Sequence, residues 1–120
     1  MVIRTERVYK KSRGNGNFKI LGDRLWPRGL GKDSVKVDLW QKDVAPSTAL
    51  RKWFKHDVNK WEEFKRRYFR ELDKNGKSVG LLIAKIKAIP VIFLYSAKNE
   101  KFNNAVALKE YIEMKLKKKK

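Results

Sequence analysis

Two hydrophobic periodicities alternate along this 120-residue chain, and each predicts a different kind of secondary structure. Residues 2–9 and 18–25 are rich in β-branched and aromatic side chains, which favour extended backbone, so each segment is predicted to form a strand. Pro27 has no backbone N–H to donate to a sheet, and the second strand is therefore expected to end by Trp26. The glycine-containing segment between the two strands permits either a turn, as in a hairpin, or a longer crossover.

Farther along the chain, apolar residues recur at the three- and four-residue spacing that places them on one face of a helix. Ser47 is placed to cap the first helix by accepting a hydrogen bond from a free backbone N–H. In the second helical segment, Asn59 and Glu62 have the spacing of a capping box, and Gly76 is expected to end the helix. The pattern predicts four helices, near 47–54, 59–73, 78–88 and 103–116.

Residues 91–95, VIFLY, are apolar without interruption. A strand with one face in water would alternate apolar and polar residues, so this strand is predicted to be interior and covered on both faces. A helix before it and another after it is the order found in parallel α/β sheets. The predicted fold class is α/β, with three layers and a small, mainly parallel central sheet flanked by helices.

Charge is the strongest departure from an average composition, because 31 Lys and Arg against 13 Asp and Glu give a formal net charge of +18. Self-repulsion of this size favours an anionic partner, and nucleic acid is the class expected first. The alternative is a lysine-rich composition of the kind seen in some thermophiles, with a merely solvated surface. Residues 1–116 are predicted to form a single domain and residues 117–120 a flexible lysine tail.

Several kinds of chemistry are excluded by what the sequence lacks. Without cysteine the chain has no disulfide, thiolate metal site or cysteine nucleophile. No His, Asp and Glu cluster has the spacing of metal ligands, so neither a metal nor a cofactor is expected. No apolar run is long enough to cross a bilayer, and no signal-peptide core is present. A cytoplasmic protein without a membrane partner is therefore expected.

Candidate binding residues lie where two of the predicted strands end. The carboxyl ends of parallel strands form one edge of a sheet, and ligands of open α/β proteins bind at that edge. Arginine presents a planar fork that matches phosphate oxygens, and lysine adds a point charge. The segments GDRLWPRGLGK and LYSAKN, with the start of the last helix, predict an anion site formed by Arg24, Arg28, Tyr95, Ser96, Lys98 and Asn104.

The residues after the second strand also have structural interpretations. Asp23 and Arg24 are able to form an ion pair that fixes the loop, and Trp26 is able to serve as a core side chain instead of a platform for a ligand. Arg28 is harder to explain structurally, because the turn at Pro27 directs it outward. Arg28 is therefore expected to face a ligand.

Acid–base chemistry has two candidate residues, Asp23 and His56. Histidine is the side chain best suited to proton transfer near neutral pH, and His56 is the only histidine of the chain. Its position beside Asp57, between two predicted helices, equally suits a cap or a surface residue.

The second predicted helix has a basic surface opposite its apolar face. Solvated charges in that position are typical of any amphipathic helix, and this structural interpretation is favoured. The alternative is a nucleic-acid surface formed by Lys65, Arg66, Arg67 and Arg70.

Three segments of the chain together resemble the YeaO-like family, domain of unknown function 488. They are GDRLWPRGLGK, VDLWQKDVAPSTALRKWFKHDVNKWEEFKRRYFREL and VIFLYSAKNEKFNNAVALKEYI, and the resemblance extends from about Arg7 to Ile112. It implies a compact three-layer α/β domain within the cell, without an assigned activity. The motif residues of the family correspond to Asp23, Arg24, Trp26, Pro27, Arg28, Trp40, Pro46, Ser47, Leu50, Arg51, Trp53, Phe54, His56, Tyr95 and Asn104.

The resemblance adds Arg51 to the predicted anion site. The helix that carries Arg51 leads to His56, and such a helix is able to present both side chains at the same edge of the sheet as Asp23 and Arg28. A pocket of several arginines with an Asp, a His and a Tyr is of the kind that binds a phosphorylated small molecule or a nucleotide-like ligand, and two functions remain open. The first is an enzyme acting on a nucleotide or nucleic-acid-linked substrate, with Asp23 or His56 as general acid or base and arginines holding the anion. The second is a non-catalytic module that binds nucleic acid through charge. A concave pocket is expected for the enzyme, and a flat basic face for the module.

Overall fold

Four parallel strands form the central sheet of this computed structural model, which describes residues 3–9, 17–31 and 36–117. The strands are β1 (Ile3–Arg7), β2 (Phe18–Leu21), β3 (Leu39–Trp40) and β4 (Val91–Tyr95), in the spatial order β1-β4-β2-β3. β4 pairs with β1 on one side and with β2 on the other, and every pairing is parallel. The predicted α/β fold with a parallel sheet and an interior β4 is therefore confirmed.

The order of the strands also decides between a hairpin and a crossover at the N-terminus. Strands β1 and β2 are not neighbours, since β4 lies between them and is parallel to both. The connection from β1 to β2 must therefore return to the starting end of the sheet, so the hairpin alternative is wrong. The predicted turn at 10–17 lies mostly outside the described residues, of which only Asn17 is part.

Four helices follow the predicted pattern closely. They are α1 (Thr48–Phe54), α2 (Trp61–Asp73), α3 (Gly76–Ala88) and α4 (Asn104–Lys117). Ser47 caps α1 as expected, because its hydroxyl accepts a hydrogen bond from the Leu50 N–H at 3.1 Å. Within the described residues, no helix is long and apolar enough to cross a membrane.

Three predicted boundaries differ from the structure. β2 ends at Leu21 instead of extending to residue 25, because the chain leaves the sheet at Gly22. Gly76 is the first residue of α3 and does not end α2. The Asn75 N–H donates a hydrogen bond to the Leu72 carbonyl oxygen after the end of α2, so that end does not need a glycine in the left-handed conformation. Lys117 is the last residue of α4 and not part of a tail, and residues 118–120 lie outside the described part.

The start of α2 also differs from the predicted capping box. The carboxylate of Asp57, and not the side chain of Asn59, is the capping group, since it accepts a hydrogen bond from the Asn59 N–H at 3.0 Å. This contact begins a short 3₁₀ turn, Val58–Lys60, from which α2 continues at Trp61.

Two hydrophobic clusters cover the two faces of the sheet. The main cluster joins buried side chains of all four helices to Ile20, Phe93 and other residues on one face of the sheet. The opposite face presents Val8, Leu21, Ile92 and Leu94, and non-helical segments cover it through Trp26, Leu30, Val37 and Trp40. The three-layer order is confirmed, with all four helices contributing to one outer layer and loop segments forming the other.

Adjacent leucines on α3 provide a matched test of this core. Leu82 is 1 % exposed and Leu81 is 63 % exposed. We expect Leu82→Ala to lower the free energy of unfolding by about 2–5 kcal/mol, because it leaves a cavity in the main cluster. Leu81→Ala is expected to change it by no more than about 0.5 kcal/mol. Urea denaturation of both variants measures the difference, and equal losses would contradict this assignment of the core.

Candidate functional site

A concave cavity of about 790 Å³ lies at the edge of the sheet where the strands end. Its walls come from the last residue of β1, the segments after β2 and β4, the start of α4, and the end of α1. Parallel pairing places these strand ends at one edge, which is the expected position of a ligand site in an α/β sheet. The cavity brings together eight residues that the sequence singled out: Asp23, Arg24, Arg28, Arg51, His56, Ser96, Lys98 and Asn104.

Tyr95 is the predicted anion-binding residue that does not line the cavity. It is the last residue of β4, and its side chain is only 4 % exposed. Side chains alternate along a strand, so Tyr95 shares the face of Val91 and Phe93 and belongs to the main cluster. Its place in the structure is in the core.

Asp23 connects four elements at the base of the cavity. Its Oδ2 accepts hydrogen bonds from the Ser96 N–H at 3.2 Å and the Ser96 hydroxyl at 2.8 Å, and its Oδ1 accepts one from the Asn104 amide at 2.7 Å. The Trp40 indole also donates to the Asp23 carbonyl oxygen at 2.7 Å. The carboxylate thus holds the ends of β2 and β4 and the start of α4 together, while the backbone of Asp23 holds the end of β3.

Arg24 is directed away from its acidic neighbour. Its guanidinium makes long hydrogen bonds to the carbonyl oxygens of Pro46 and Ala45, at 3.4 and 3.5 Å, and no ion pair joins it to Asp23. The alternative of an Asp23–Arg24 pair that fixes the loop is therefore not what the structure contains. Arg24 instead connects this loop to the segment that precedes α1 and still lines the cavity.

A tight turn presents Arg28 to solvent. The Trp26 indole donates to the Leu30 carbonyl oxygen at 2.7 Å, and Gly29 has a φ of 77°, a conformation that glycine adopts without strain. The Tyr9 hydroxyl donates to the Arg28 carbonyl oxygen at 2.9 Å. The backbone of Arg28 is therefore fixed while its side chain is exposed at the cavity, where it has no ion pair with any described residue.

Arg7 and Tyr9, which no motif of the sequence indicated, also line the cavity. The Arg7 Nε donates to the Ala97 carbonyl oxygen at 3.0 Å, and its guanidinium lies 4.6 Å from the centre of the Tyr9 ring. Arg7 is the last residue of β1, so a parallel β1 would have placed it at this edge. The position of Arg7 at the end of a strand was visible in the sequence. Its place at this edge could not be predicted, because the sequence left the orientation of β1 undecided.

The loop after β4 is held by two asparagines that also line the cavity. The Asn99 Oδ1 accepts hydrogen bonds from the N–H groups of Lys101 and Phe102, at 2.9 and 3.0 Å. The Asn103 amide donates to the Asn99 carbonyl oxygen at 2.9 Å, and its Oδ1 accepts from the Val106 N–H at 3.0 Å. This network fixes the position of the loop that carries Lys98.

His56 lies at the end of α1 in an uncommon backbone conformation. Both Lys55 and His56 have positive φ angles, 46° and 57°, which residues other than glycine adopt at a cost in conformational free energy. The His56 ring is exposed at the cavity, with its centroid 6.3 Å from that of Phe54. Within the described residues, no carboxylate forms a hydrogen bond or ion pair with His56.

The charge of the cavity wall is strongly positive. Among the described residues of the wall, the one acidic residue is Asp23, which already accepts three hydrogen bonds. No group of three His, Asp or Glu side chains suited to a metal ion occurs in the described part of the chain. The described basic residues that line the cavity number five: Arg7, Arg24, Arg28, Arg51 and Lys98.

The basic residues of α2 are mostly paired with carboxylates. Arg66 and Arg67 both bind Glu63, at 2.5 and 2.9 Å, and the Arg67 hydrogen bond is the main cause that lowers the pKa of that carboxyl. Lys65 lies 3.2 Å from Glu110, which belongs to α4. Three of the four residues predicted to form a nucleic-acid surface are therefore paired with acidic residues of the protein itself. Within the described residues, Arg70 alone of the four has no ion pair with a carboxylate.

This arrangement defines a parallel α/β domain with a basic cavity at its strand ends, and comparison with known proteins assigns its family. Residues 2–120 match the family described as "Inactive DUF488-N3 subclade", and the chain belongs to it. The resemblance to the YeaO-like family is thereby confirmed.

Curated relatives extend this result. The uncharacterized protein YeaO of Escherichia coli is 38% identical over 112 residues, which cover 93% of this chain and 97% of that protein. Uncharacterized proteins of Mycobacterium bovis and Mycobacterium tuberculosis are 43% identical over 70 residues, or 58% of this chain and 59% of theirs. No solved structure gives a significant match.

The Asp23 network generates a prediction about stability. We expect Asp23→Ala to lower the free energy of unfolding by about 2–4 kcal/mol, because Ser96 and Asn104 lose a charged acceptor. Asp43→Ala is the matched control, since Asp43 is exposed in the 3₁₀ turn Lys42–Val44 and its carboxylate forms no hydrogen bond or ion pair with a described residue. Urea denaturation compares the two, and equal stabilities would show that the network does not hold the strand ends.

Tyr68 generates a prediction about alkaline pH. It is fully buried on α2, and its hydroxyl donates to the Val44 carbonyl oxygen. Burial raises the pKa of Tyr68 well above its usual range, and the charges of Asp23 and Glu71 raise it further. The unfolded chain therefore loses this proton at a pH where the folded chain keeps it.

The raised pKa makes stability fall as the pH rises above about 10, the ordinary tyrosine value. We expect the slope of unfolding free energy against pH, between about pH 9 and 11, to be shallower in Tyr68→Phe than in the unchanged protein. Urea denaturation at each pH measures both slopes, and subtraction removes the contribution of the lysines. Identical slopes would contradict the assignment.

Proposed function

We propose that this protein binds a phosphate-bearing ligand in the strand-end cavity and holds it without chemical conversion. The observation that carries the proposal is the charge of the cavity wall, whose described residues combine five basic side chains with one carboxylate that is already hydrogen-bonded. Guanidinium groups form two parallel hydrogen bonds with carboxylates and phosphates alike, but this excess of positive charge favours the more highly charged phosphate.

The rigidity of the wall supports binding. Arg7 is held by Ala97 and Tyr9, and Arg24 by the carbonyl oxygens before α1. The backbone at Arg28 is fixed by Tyr9. Side chains and loops that are ordered before the ligand arrives lose little further entropy on binding, which improves affinity.

Several features favour binding over catalysis. A concave site is common to enzymes and to binding proteins, so the cavity alone does not distinguish them. Hydrogen bonds from Ser96 and Asn104 already use three of the roughly four acceptor positions of the Asp23 carboxylate, which makes it a weaker general base. His56 has no carboxylate partner to orient it within the described part of the chain. The description of the family's subclade as inactive supports the same choice. A cytoplasmic location remains part of this proposal.

Titration of inorganic pyrophosphate and adenosine monophosphate by isothermal calorimetry tests the proposal. We expect both to bind, and Arg28→Ala to weaken binding by about 1.5–3 kcal/mol, because a hydrogen bond between two charged groups is lost. Arg70→Ala is the matched control, since it removes an exposed arginine that does not line the cavity.

Two results would count against this function. If Arg28→Ala and Arg51→Ala both bind pyrophosphate as the unchanged protein does, the cavity is not the site. If phosphorus NMR shows that the bound nucleotide is converted to product at a rate that depends on His56, the protein is an enzyme instead.

A further inference from the structure

We infer that the ligand is the phosphorylated end of a single-stranded nucleic acid, with its terminal phosphate in the cavity and the following phosphates on a basic rim. This inference rests on the proposed function and specifies its ligand. The same phosphate chemistry is also offered by a free nucleotide, so the test below separates the two sources.

The size and lining of the cavity point to more than a phosphate ion. A volume of about 790 Å³ is in the range of cavities that hold ligands the size of a nucleotide or larger. Two apolar residues of the wall are accessible: Leu25 is 65 % exposed and Trp26 is half-buried. Sugars and bases pack against apolar and aromatic side chains of this kind.

Exposed lysines continue the positive charge beyond the cavity. Lys55 is exposed at the end of α1, directly before His56 of the cavity wall, and Lys52 is exposed on α1 next to Arg51. Lys101 is exposed in the loop that carries Lys98 into the cavity wall. We call Lys52, Lys55 and Lys101 the rim. A free nucleotide in the cavity leaves the rim unused, whereas a strand places its next phosphates there.

Within the described residues, acidic side chains do not pair with the lysines of the rim. None of its three lysines forms an ion pair with a carboxylate within the described residues, in contrast to Lys65, Arg66 and Arg67 on α2. Asp57 is the nearest acidic residue after α1, and its carboxylate caps the Val58–Lys60 turn. Glu100 is the acidic residue next to Lys101, and it leaves the rim with a positive balance.

The terminal phosphate explains why the cavity holds more positive charge than the rim. A terminal phosphate carries about −1.5 to −2 charges at neutral pH, whereas a phosphodiester within the chain carries about −1. Five basic residues around one concavity match the more highly charged group. A double helix stacks its bases inside, so placing one of its nucleotides in this cavity requires unstacking that a single strand avoids.

Fluorescence anisotropy with ten-residue oligothymidylates tests the inference. Each oligomer carries the dye at one end and either a phosphate or a hydroxyl at the other, in both polarities. We expect one phosphorylated form to bind about tenfold more tightly than its hydroxyl form, as one additional charged contact allows. Arg28→Ala is expected to remove that advantage, because in this arrangement the Arg28 side chain binds the terminal phosphate and not the phosphates that follow it.

Substitution of the rim lysines is expected to affect binding differently from Arg28→Ala. Replacing Lys52, Lys55 and Lys101 together with alanine is expected to weaken the phosphorylated and hydroxyl oligomers by the same factor. It should also reduce the slope of log K against log salt by about 2, as three lost phosphate contacts predict for single strands. Arg66→Ala is the control, because Arg66 is paired with Glu63 on α2 and does not line the cavity, and it should change neither quantity.

The outcomes separate this inference from the proposed function. If pyrophosphate binds in an Arg28-dependent manner but the two oligomer forms bind equally in both polarities, the strand end is not the ligand and the proposed function stands. The same conclusion follows if a phosphorylated duplex binds as tightly as the single strand. If neither pyrophosphate, adenosine monophosphate nor the phosphorylated oligomers bind, both proposals are overturned.

Discussion

The carboxylate of Asp23 is the interaction on which the strand-end surface depends. Loops that leave a parallel sheet lack the regular hydrogen bonds of the strands, so their polar groups need other partners. Asp23 provides them for Ser96 and Asn104, which are 73 and 81 positions away in the sequence. Hydrogen bonds to an ionised acceptor are stronger than those between neutral groups. One side chain therefore determines how the segments carrying Arg28, Lys98 and the start of α4 face one another.

Much of the fold could be predicted because its main signals are local. The run from Val91 to Tyr95 has one physical interpretation, since no exposed strand is apolar on both faces. The relation of β1 to β2 could not be predicted, because the partner that separates them, β4, is more than 70 residues farther along the chain. Gly76 was misassigned for a different reason: glycine is common beyond the end of a helix, and here it follows the end of α2 closely enough to begin α3.

The candidate site was predicted to a similar extent and for related reasons. The rule that ligands bind at strand ends located Arg24, Arg28 and Lys98 from sequence order alone. Tyr95 was misplaced although strand alternation puts it on the core side with Phe93, so that signal was available. The hydrogen bonds of Asp23 were not predictable, because they depend on distances that only the folded chain brings within 3 Å.

The loop layer over the second hydrophobic cluster has a consequence for how this family can change. Trp26 lines the cavity and, with Leu30, also shields Leu21, Ile92 and Leu94 from water. In most α/β proteins a helix provides that cover, which leaves the ligand loop free to vary. Here the segment that lines the cavity also insulates the sheet. Loss of every basic side chain of the cavity would leave the need for this turn unchanged, so persistence of its tryptophan and proline carries no information about a ligand.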